Sequence, residues 1–215
     1  MKAGGAAAAS PALAAARLDL GEGAWIAWLE GFIADDAALM ERLRATLPLG
    51  SQTIRIGGRG VVSPRLVSWH GDPGASYRYS GRTFDPRPWT DELRRIKERI
   101  DATVGTRFNS VLVNYYRDGG DSMGEHADDE PELGPAPDDV LIASLSLGVR
   151  RRFLLRQRRT RAVRELFLGG GDLLVMGGTT QRHFTHRVPR TAAAVGPRMN
   201  LTFRVVVGRR HQSSA

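Results

Sequence analysis

After Phe108 the chain reads as seven short β-type runs cut apart by Gly, Pro and charged residues, and this pattern restricts the architecture more than any other feature. The runs are Asn109–Tyr116, Val140–Leu147, Arg152–Arg156, Val163–Leu168, Asp172–Met176, His183–Val188 and Met199–Val207. Short strands with no helical period between them predict an antiparallel sandwich or jelly roll, mainly β, rather than a parallel βαβ sheet. Helices belong to the N-terminal half. Trp25, Leu29, Phe32 and Ile33 fit a helical spacing, as do Leu39, Met40, Leu43 and Leu47 after Asp35-Asp36. Thr90 is suited to cap a third helix running to Val104, with Asp91 and Glu92 in its first turn and Gly105 ending it. These helices are expected to cover one face of the sheet. A chain of 215 residues suits a single domain. We expect that domain over 17–207, after a disordered Ala/Gly-rich leader at 1–16 and before a polar tail at 208–215. Within it, about 50–89 is a hairpin and loop region rich in Gly, of the kind that carries recognition.

The chain has no cysteine, which excludes disulfides, thiolate zinc sites, iron–sulfur clusters and cysteine nucleophiles. A metal here must be held by nitrogen and oxygen. No long uncharged apolar stretch occurs outside the Ala-rich start, so no membrane span is expected. Lys and Arg total 31 against 23 Asp and Glu, a net charge of +8, and only Lys2 and Lys97 are lysines. An arginine-borne excess of this kind favours polyanionic partners, nucleic acid ahead of membrane surfaces. Arg150, Arg151, Arg152, Arg156, Arg158, Arg159, Arg161 and Arg164 fall in a span with no acidic residue before Glu165. Charges that dense need polyanions or water.

Five histidines are present, and one stands in His126-Ala127-Asp128, just after the turn Gly119-Gly120. In an extended segment residues two apart point the same way, so His126 and Asp128 suit one ion. His186, in a different expected strand, completes two imidazoles and one carboxylate, the facial set of non-haem Fe(II) oxygenases. In Arg198-Met199-Asn200-Leu201-Thr202-Phe203-Arg204-Val205, alternation puts Arg198, Asn200, Thr202 and Arg204 on one face and apolar side chains on the other. Two aligned guanidinium groups suit a dicarboxylate, since each binds carboxylate through paired charge-assisted bonds. Asn114 and Tyr116 share a face with Leu112 just before the metal loop and could line the same cavity.

At these residues the chain resembles the AlkB-type Fe(II)/2-oxoglutarate-dependent dioxygenases, in the branch that repairs alkylated nucleobases. The resemblance runs through Asn109–Tyr116, His126–Glu130, Ser144–Gly148, His183–His186 and Arg198–Arg204, in that order. It implies a double-stranded β-helix core, Fe(II) on His126, Asp128 and His186, and 2-oxoglutarate on Asn114, Tyr116, Arg198, Asn200, Thr202 and Arg204, with Arg198 on the distal carboxylate. His183 is then a neighbour rather than a ligand. The implied activity is oxidative demethylation, with 2-oxoglutarate and O₂ as cosubstrates, of bases such as 1-methyladenine and 3-methylcytosine in DNA. RNA remains an alternative substrate, as does a protein or small molecule for a related oxygenase. A silent binding jelly roll is disfavoured, because no metal or cosubstrate position is lost. We expect a monomer in the cytoplasm.

The lesions are cationic, and Asp129 and Glu130 are expected to complement the base and accept from its exocyclic amine. Ser76–Gly81 resembles the family's recognition hairpin, where Tyr77 and Tyr79 share a face; Tyr79 is the expected stacking platform, with His126 behind the base and Trp69 in the core. His70 stands where the family pattern has an aromatic residue. The Ile54–Val62 hairpin carries no bulky wedge, which favours single-stranded or melted substrate. Arg158 and Arg159 are the expected phosphate contacts.

Overall fold

The computed structural model describes residues 8–56, 59–79, 82–133 and 140–207, with the backbone path alone at 54–56, 59, 77–79, 82–84 and 131. In chain order the elements begin with helix α1 (Pro11–Ala15), strands β1 (Arg17–Gly21) and β2 (Ala24–Leu29) and helix α2 (Asp36–Thr46). Then come β3 (Gly50–Ile56), β4 (Arg59–Gly71), β5 (Tyr77–Tyr79), β6 (Arg82–Phe84) and α3 (Asp91–Val104). The C-terminal half holds β7 (Ser110–Tyr116), β8 (Met123–His126), β9 (Ile142–Gly148), β10 (Arg151–Gln157), β11 (Val163–Leu168) and β12 (Asp172–Gly178). It ends with α4 (Thr180–His183), β13 (Phe184–Val188) and β14 (Arg198–Arg204).

The strands form an eight-stranded sheet in the order β1-β2-β12-β9-β14-β7-β4-β3 and a four-stranded sheet in the order β11-β10-β13-β8, with β5–β6 a separate hairpin. All the strand pairs are antiparallel, as a jelly roll requires. One apolar cluster lies between the helices and the outer face of the large sheet; the other fills the space between the sheets. β14 shows how alternation builds both. Met199, Leu201 and Phe203 join the helix-side cluster, which leaves Arg198, Asn200, Thr202 and Arg204 on the inner face. The strand lies between β7 and β9, and all seven of its residues are buried, so its polar face lines an interior and not a barrel rim.

Helix α3 forms as expected. Thr90 Oγ1 accepts from the Leu93 N–H at 3.3 Å, Leu93, Ile96, Ile100 and Val104 are buried, and Gly105 closes the helix at φ 75°. Each such buried aliphatic side chain contributes about 1.5–3 kcal/mol.

Two expectations are corrected. The segment beginning at Trp25 is strand β2, not a helix: Ala24, Ile26 and Ala27 are buried, and the strand sits between β1 and β12. A strand covered on both faces loses its period of two, and the apolar residues at 25, 29, 32 and 33 then mimic a helical spacing. The leader is ordered from Ser10, which caps α1 through Leu13 and donates its N–H to Thr103 O at 2.9 Å, while Leu13 enters the core at 4% exposure. Residues 1–7 and the tail at 208–215 lie outside the described residues.

The turn before β12 depends on Gly171. Its φ is +83°, and a Cβ there would stand 1.9 Å from the Ile33 carbonyl oxygen, whose own N–H donates to Gly171 O. No described helix is long and apolar enough to cross a membrane.

Candidate active site

The β8–β13 register sets His186 directly opposite His126, with ring centroids 4.2 Å apart. Asp128 follows two residues after His126, and one ligand atom from each of the three lies within 4.8 Å of the others. Asp128 and His186 are buried and His126 is half-buried, so the group opens to one side. His126 Nδ1 donates to the Gly124 carbonyl at 2.9 Å, because a carbonyl only accepts, which leaves Nε2 as the nitrogen to serve as a ligand. Phe153 lies against the His186 ring at 5.3 Å.

Electrostatics hold the set in its ligating form. Burial pushes His186 down to about 3, aided by His126 and opposed by Asp128, so its imidazole is neutral. Burial acts to raise Asp128, but the Arg204 charge beside it, together with its hydrogen bond, outweighs burial and keeps the carboxyl below its usual range. Arg204 Nη2 donates to Asp128 Oδ1, and the Asp128 N–H donates to Gln181 Oε1 at 2.9 Å. A neutral His186 and an ionised Asp128 beside His126, open on one side, suit Fe(II).

Two cavities meet at this group. The inner one is lined by the polar face of β14, by Asn114 and Tyr116 on β7, and by Ser144, Phe153 and Met176. Register explains the gathering: Asn200 pairs with Asn114 and Arg198 with Tyr116. Arg198 is 2% exposed; its Nε donates to Leu168 O at 3.2 Å and its Nη2 to Ser146 Oγ at 2.7 Å, but its Nη1 is buried with no hydrogen-bond partner among the described residues. Burial lowers its pKa from the usual value and Tyr116, whose ring centroid is 5.2 Å away, opposes. An orphaned donor on a buried cation fits a carboxylate that the protein itself does not supply. Asn200 donates to Ser144 Oγ at 2.7 Å, and Thr202 donates to Asn200 Oδ1 at 2.9 Å.

The outer cavity, of about 350 Å³, is lined by Arg65, Trp69, Arg87, Met123 and Glu130, with His126, Asp128 and Arg204 at its floor. Trp69 is half-buried at this wall, not enclosed in the core as expected, because its β7 partner is the cavity residue Leu112. Sequence reasoning missed Arg65. This residue is 4% exposed, and its Nε donates to Asn114 Oδ1 at 2.6 Å and its Nη1 to Ser63 Oγ at 3.0 Å. The signal was the β4 alternation Arg65, Val67, Trp69, which needs the β7 register to be read. His70 lies behind the wall, 2% exposed, with Nδ1 donating to Pro88 O at 2.8 Å and Nε2 accepting from the Ser68 hydroxyl at 2.9 Å.

Glu130 lines the outer cavity, but Asp129 turns away to Arg158, whose Nη2 donates to it at 3.0 Å. Arg159 pairs with Glu22 at 3.4 Å. Of the remaining arginines in the run, Arg150, Arg152 and Arg156 pair with carboxylates and Arg151 is buried against four backbone carbonyls. The expected uncompensated basic cluster is therefore mostly compensated within the protein. His183 is the last residue of α4 and faces Glu22 at 3.4 Å, outside the metal group. Tyr77 and Tyr79 stand on β5, which pairs with β6; their side chains lie outside the described residues, as does the tip of the β3–β4 hairpin.

Known proteins agree with this geometry. The 2OG-Fe(II) oxygenase superfamily matches residues 26–204. The chain is 40% identical over 162 residues to mouse DNA oxidative demethylase ALKBH2, covering 72% of this chain and 66% of that protein. It is 43% identical over 153 residues to human alpha-ketoglutarate-dependent dioxygenase alkB homolog 3, covering 66% of this chain and 52% of that protein. The chain thus spans less than two thirds of the length of these relatives. The solved structure of OsALKBH1 superposes with a TM-score of 0.59 at 22% identity, over 88% of this chain and 99% of that one, and shares the fold. With the His126–Asp128–His186 group, the polar inner face of β14 and the jelly roll in place together, the chain belongs to the 2OG-Fe(II) oxygenase superfamily, in its AlkB-like branch.

Proposed function

We propose that the chain is a dioxygenase that oxidatively demethylates N-alkylated nucleobases, of the 1-methyladenine and 3-methylcytosine type, in DNA. The observation that carries the reading is the meeting of the two cavities at His126, Asp128 and Arg204: an inner one with an orphaned buried guanidinium, and an outer one of nucleobase dimensions. His126, Asp128 and His186 hold Fe(II). Bound iron, 2-oxoglutarate and O₂ supply the oxidising power, yielding succinate, CO₂ and, from the N-methyl group, formaldehyde.

The chain's own residues do the rest. Arg198 takes the distal carboxylate of 2-oxoglutarate, while Asn200 and Thr202, bonded to one another, keep that wall polar without competing charge. Asn114, Tyr116 and Arg204 complete the cosubstrate wall, and Arg65 holds the Asn114 amide in place. In the outer cavity Glu130 accepts from the exocyclic amine of the base and complements its positive ring, and Trp69 offers an aromatic surface for stacking. The sequence assigns stacking to Tyr79 and Tyr77 as well. The protein works on nucleic acid as a monomer, on single-stranded or melted sites.

The experiment incubates the protein with methylated DNA and RNA oligonucleotides, Fe(II), 2-oxoglutarate and ascorbate, and weighs the products by mass spectrometry. Loss of the methyl mass from DNA supports the reading. Loss from RNA alone moves the substrate to RNA. Succinate formation with both polymers unchanged overturns it in favour of a protein or small-molecule substrate.

A further inference from the structure

Gln181 is a buried residue that the reaction, as described, does not use. It lies on α4 at 0% exposure, and its amide spans two walls of the site. Its Oε1 accepts the Asp128 N–H at 2.9 Å and its Nε2 faces Met176 Sδ at 3.7 Å, on the inner cavity. The orientation is forced, because only the oxygen can meet an N–H. The helix that carries it is anchored on both sides. Thr180 Oγ1 bonds to Gly177 O and Trp25 O, while Arg158 donates its backbone N–H to His183 O and its Nη2 to Gln181 O. That same Nη2 holds Asp129, so the loop that carries the metal carboxylate is tied to α4 at two consecutive residues.

We propose that Gln181 is a positioning residue that sets the backbone at Asp128, and through it the direction of the metal-binding carboxylate. Asp128 follows His126 with one residue between them, and its peptide N–H is the handle nearest the carboxylate. Once buried, that N–H has to be met by an acceptor, and the one it has among the described residues is carried on a different element. Residues one step behind a metal ligand commonly change metal affinity by ten- to a hundredfold. The inference rests on Asp128 being a metal ligand.

The test is Mn(II) titration of the full chain followed by electron paramagnetic resonance, with thermal unfolding measured alongside. The wild-type chain should bind Mn(II) and Asp128→Ala should not; failure here removes the metal assignment itself and is separate from the role of Gln181. Gln181→Leu should raise the Mn(II) Kd at least tenfold. Should that variant not fold, Gln181→Asn keeps an amide but withdraws its oxygen by one methylene, and a rise of several-fold is expected. Thr180→Val, which loosens α4 without touching Asp128, should lower the melting temperature and leave the Mn(II) Kd within twofold. An unchanged Kd in the folded Gln181 variants overturns the proposal, and so does an equal loss in Thr180→Val, which would assign the effect to helix packing.

Discussion

Arg198→Met removes a buried cation whose Nη1 has no hydrogen-bond partner among the described residues. The magnitude follows from the contacts. Nε and Nη2 are committed to Leu168 O and Ser146 Oγ, so Nη1 is the donor available to a ligand carboxylate. A hydrogen bond to a charged group is worth about 1.5–3 kcal/mol, which corresponds to a rise of roughly ten- to 150-fold in the 2-oxoglutarate needed for half-saturation. The substitution also strands Ser146 Oγ and Leu168 O in the core, so a loss of stability accompanies it, and the two effects need separate readouts. Calorimetric titration of the Mn(II)-loaded protein with 2-oxoglutarate reads the first, and thermal unfolding without ligand reads the second. Arg198→Lys, which keeps the charge but loses the planar fork, should fall between wild type and Arg198→Met. A folded Arg198→Met that binds 2-oxoglutarate within twofold of wild type would refute the assignment of this face to the dicarboxylate.

His126→Ala and His186→Ala should each abolish Fe(II) binding in an equilibrium dialysis measurement, whereas His183→Ala should retain it, since His183 faces Glu22 and not the metal group. Arg87 is exposed at the mouth of the outer cavity and makes no ion pair among the described residues, so Arg87→Ala should flatten the salt dependence of oligonucleotide binding more than Arg158→Ala, whose guanidinium Asp129 already occupies; equal effects would restore Arg158 as a phosphate contact. His70 has its pKa lowered by burial, with the Arg87 charge adding and the Pro88 carbonyl opposing. The unfolded chain therefore takes up a proton below about pH 6.5 that the folded chain resists, so this contribution to stability is complete above pH 6.5 and declines as pH falls below it. The melting temperature of His70→Gln should fall less steeply than that of wild type between pH 7 and 5.5, and parallel slopes would contradict this. Gly171→Ala forces a Cβ onto the Ile33 carbonyl and should cost at least about 2 kcal/mol in denaturant unfolding; a change under about 0.5 kcal/mol would show that the turn relaxes freely.

Legibility in the sequence followed solvent and burial geometry. β14 was readable because its two faces meet different surroundings, apolar helices on one side and a polar interior on the other, so alternation survives in the residues. His126, Asp128 and His186 were readable as a set because an extended His-x-Asp segment and a histidine on an expected strand supply three ligating side chains of the right types, and the β8–β13 register then brings them together. β2 was not readable, since Ala24, Ile26 and Ala27 are covered on both sides and their order carries no period. Gln181 and Arg65 were missed for a related reason. Gln181 sits among Gly177, Gly178, Thr179 and Thr180, which punctuate like a loop, and the Asp128 N–H that it meets is 53 residues away along the chain. Arg65 matters because of a cross-strand neighbour 49 residues away, Asn114.

The arginine run shows why charge counted along a chain misleads in an antiparallel fold. A window over 150–164 contains eight arginines and no carboxylate, but strands β10 and β11 bring partners from the turn between β1 and β2, from β8, from the metal loop and from each other. Six carboxylates stand within 4 Å of five of these guanidinium groups, and Arg151 is consumed by main-chain carbonyls. Exposed pairs of this kind are each worth only about 0–1 kcal/mol, so they add little stability, yet each lowers the potential that a phosphate would feel. A polyanion docking here displaces carboxylates as well as counterions, and the gain from each contact shrinks accordingly. Under the proposed function, the cationic residues that would meet a nucleic acid at full strength are those without ion pairs among the described residues, and Arg87, at the mouth of the outer cavity, is one that also stands next to the candidate metal group.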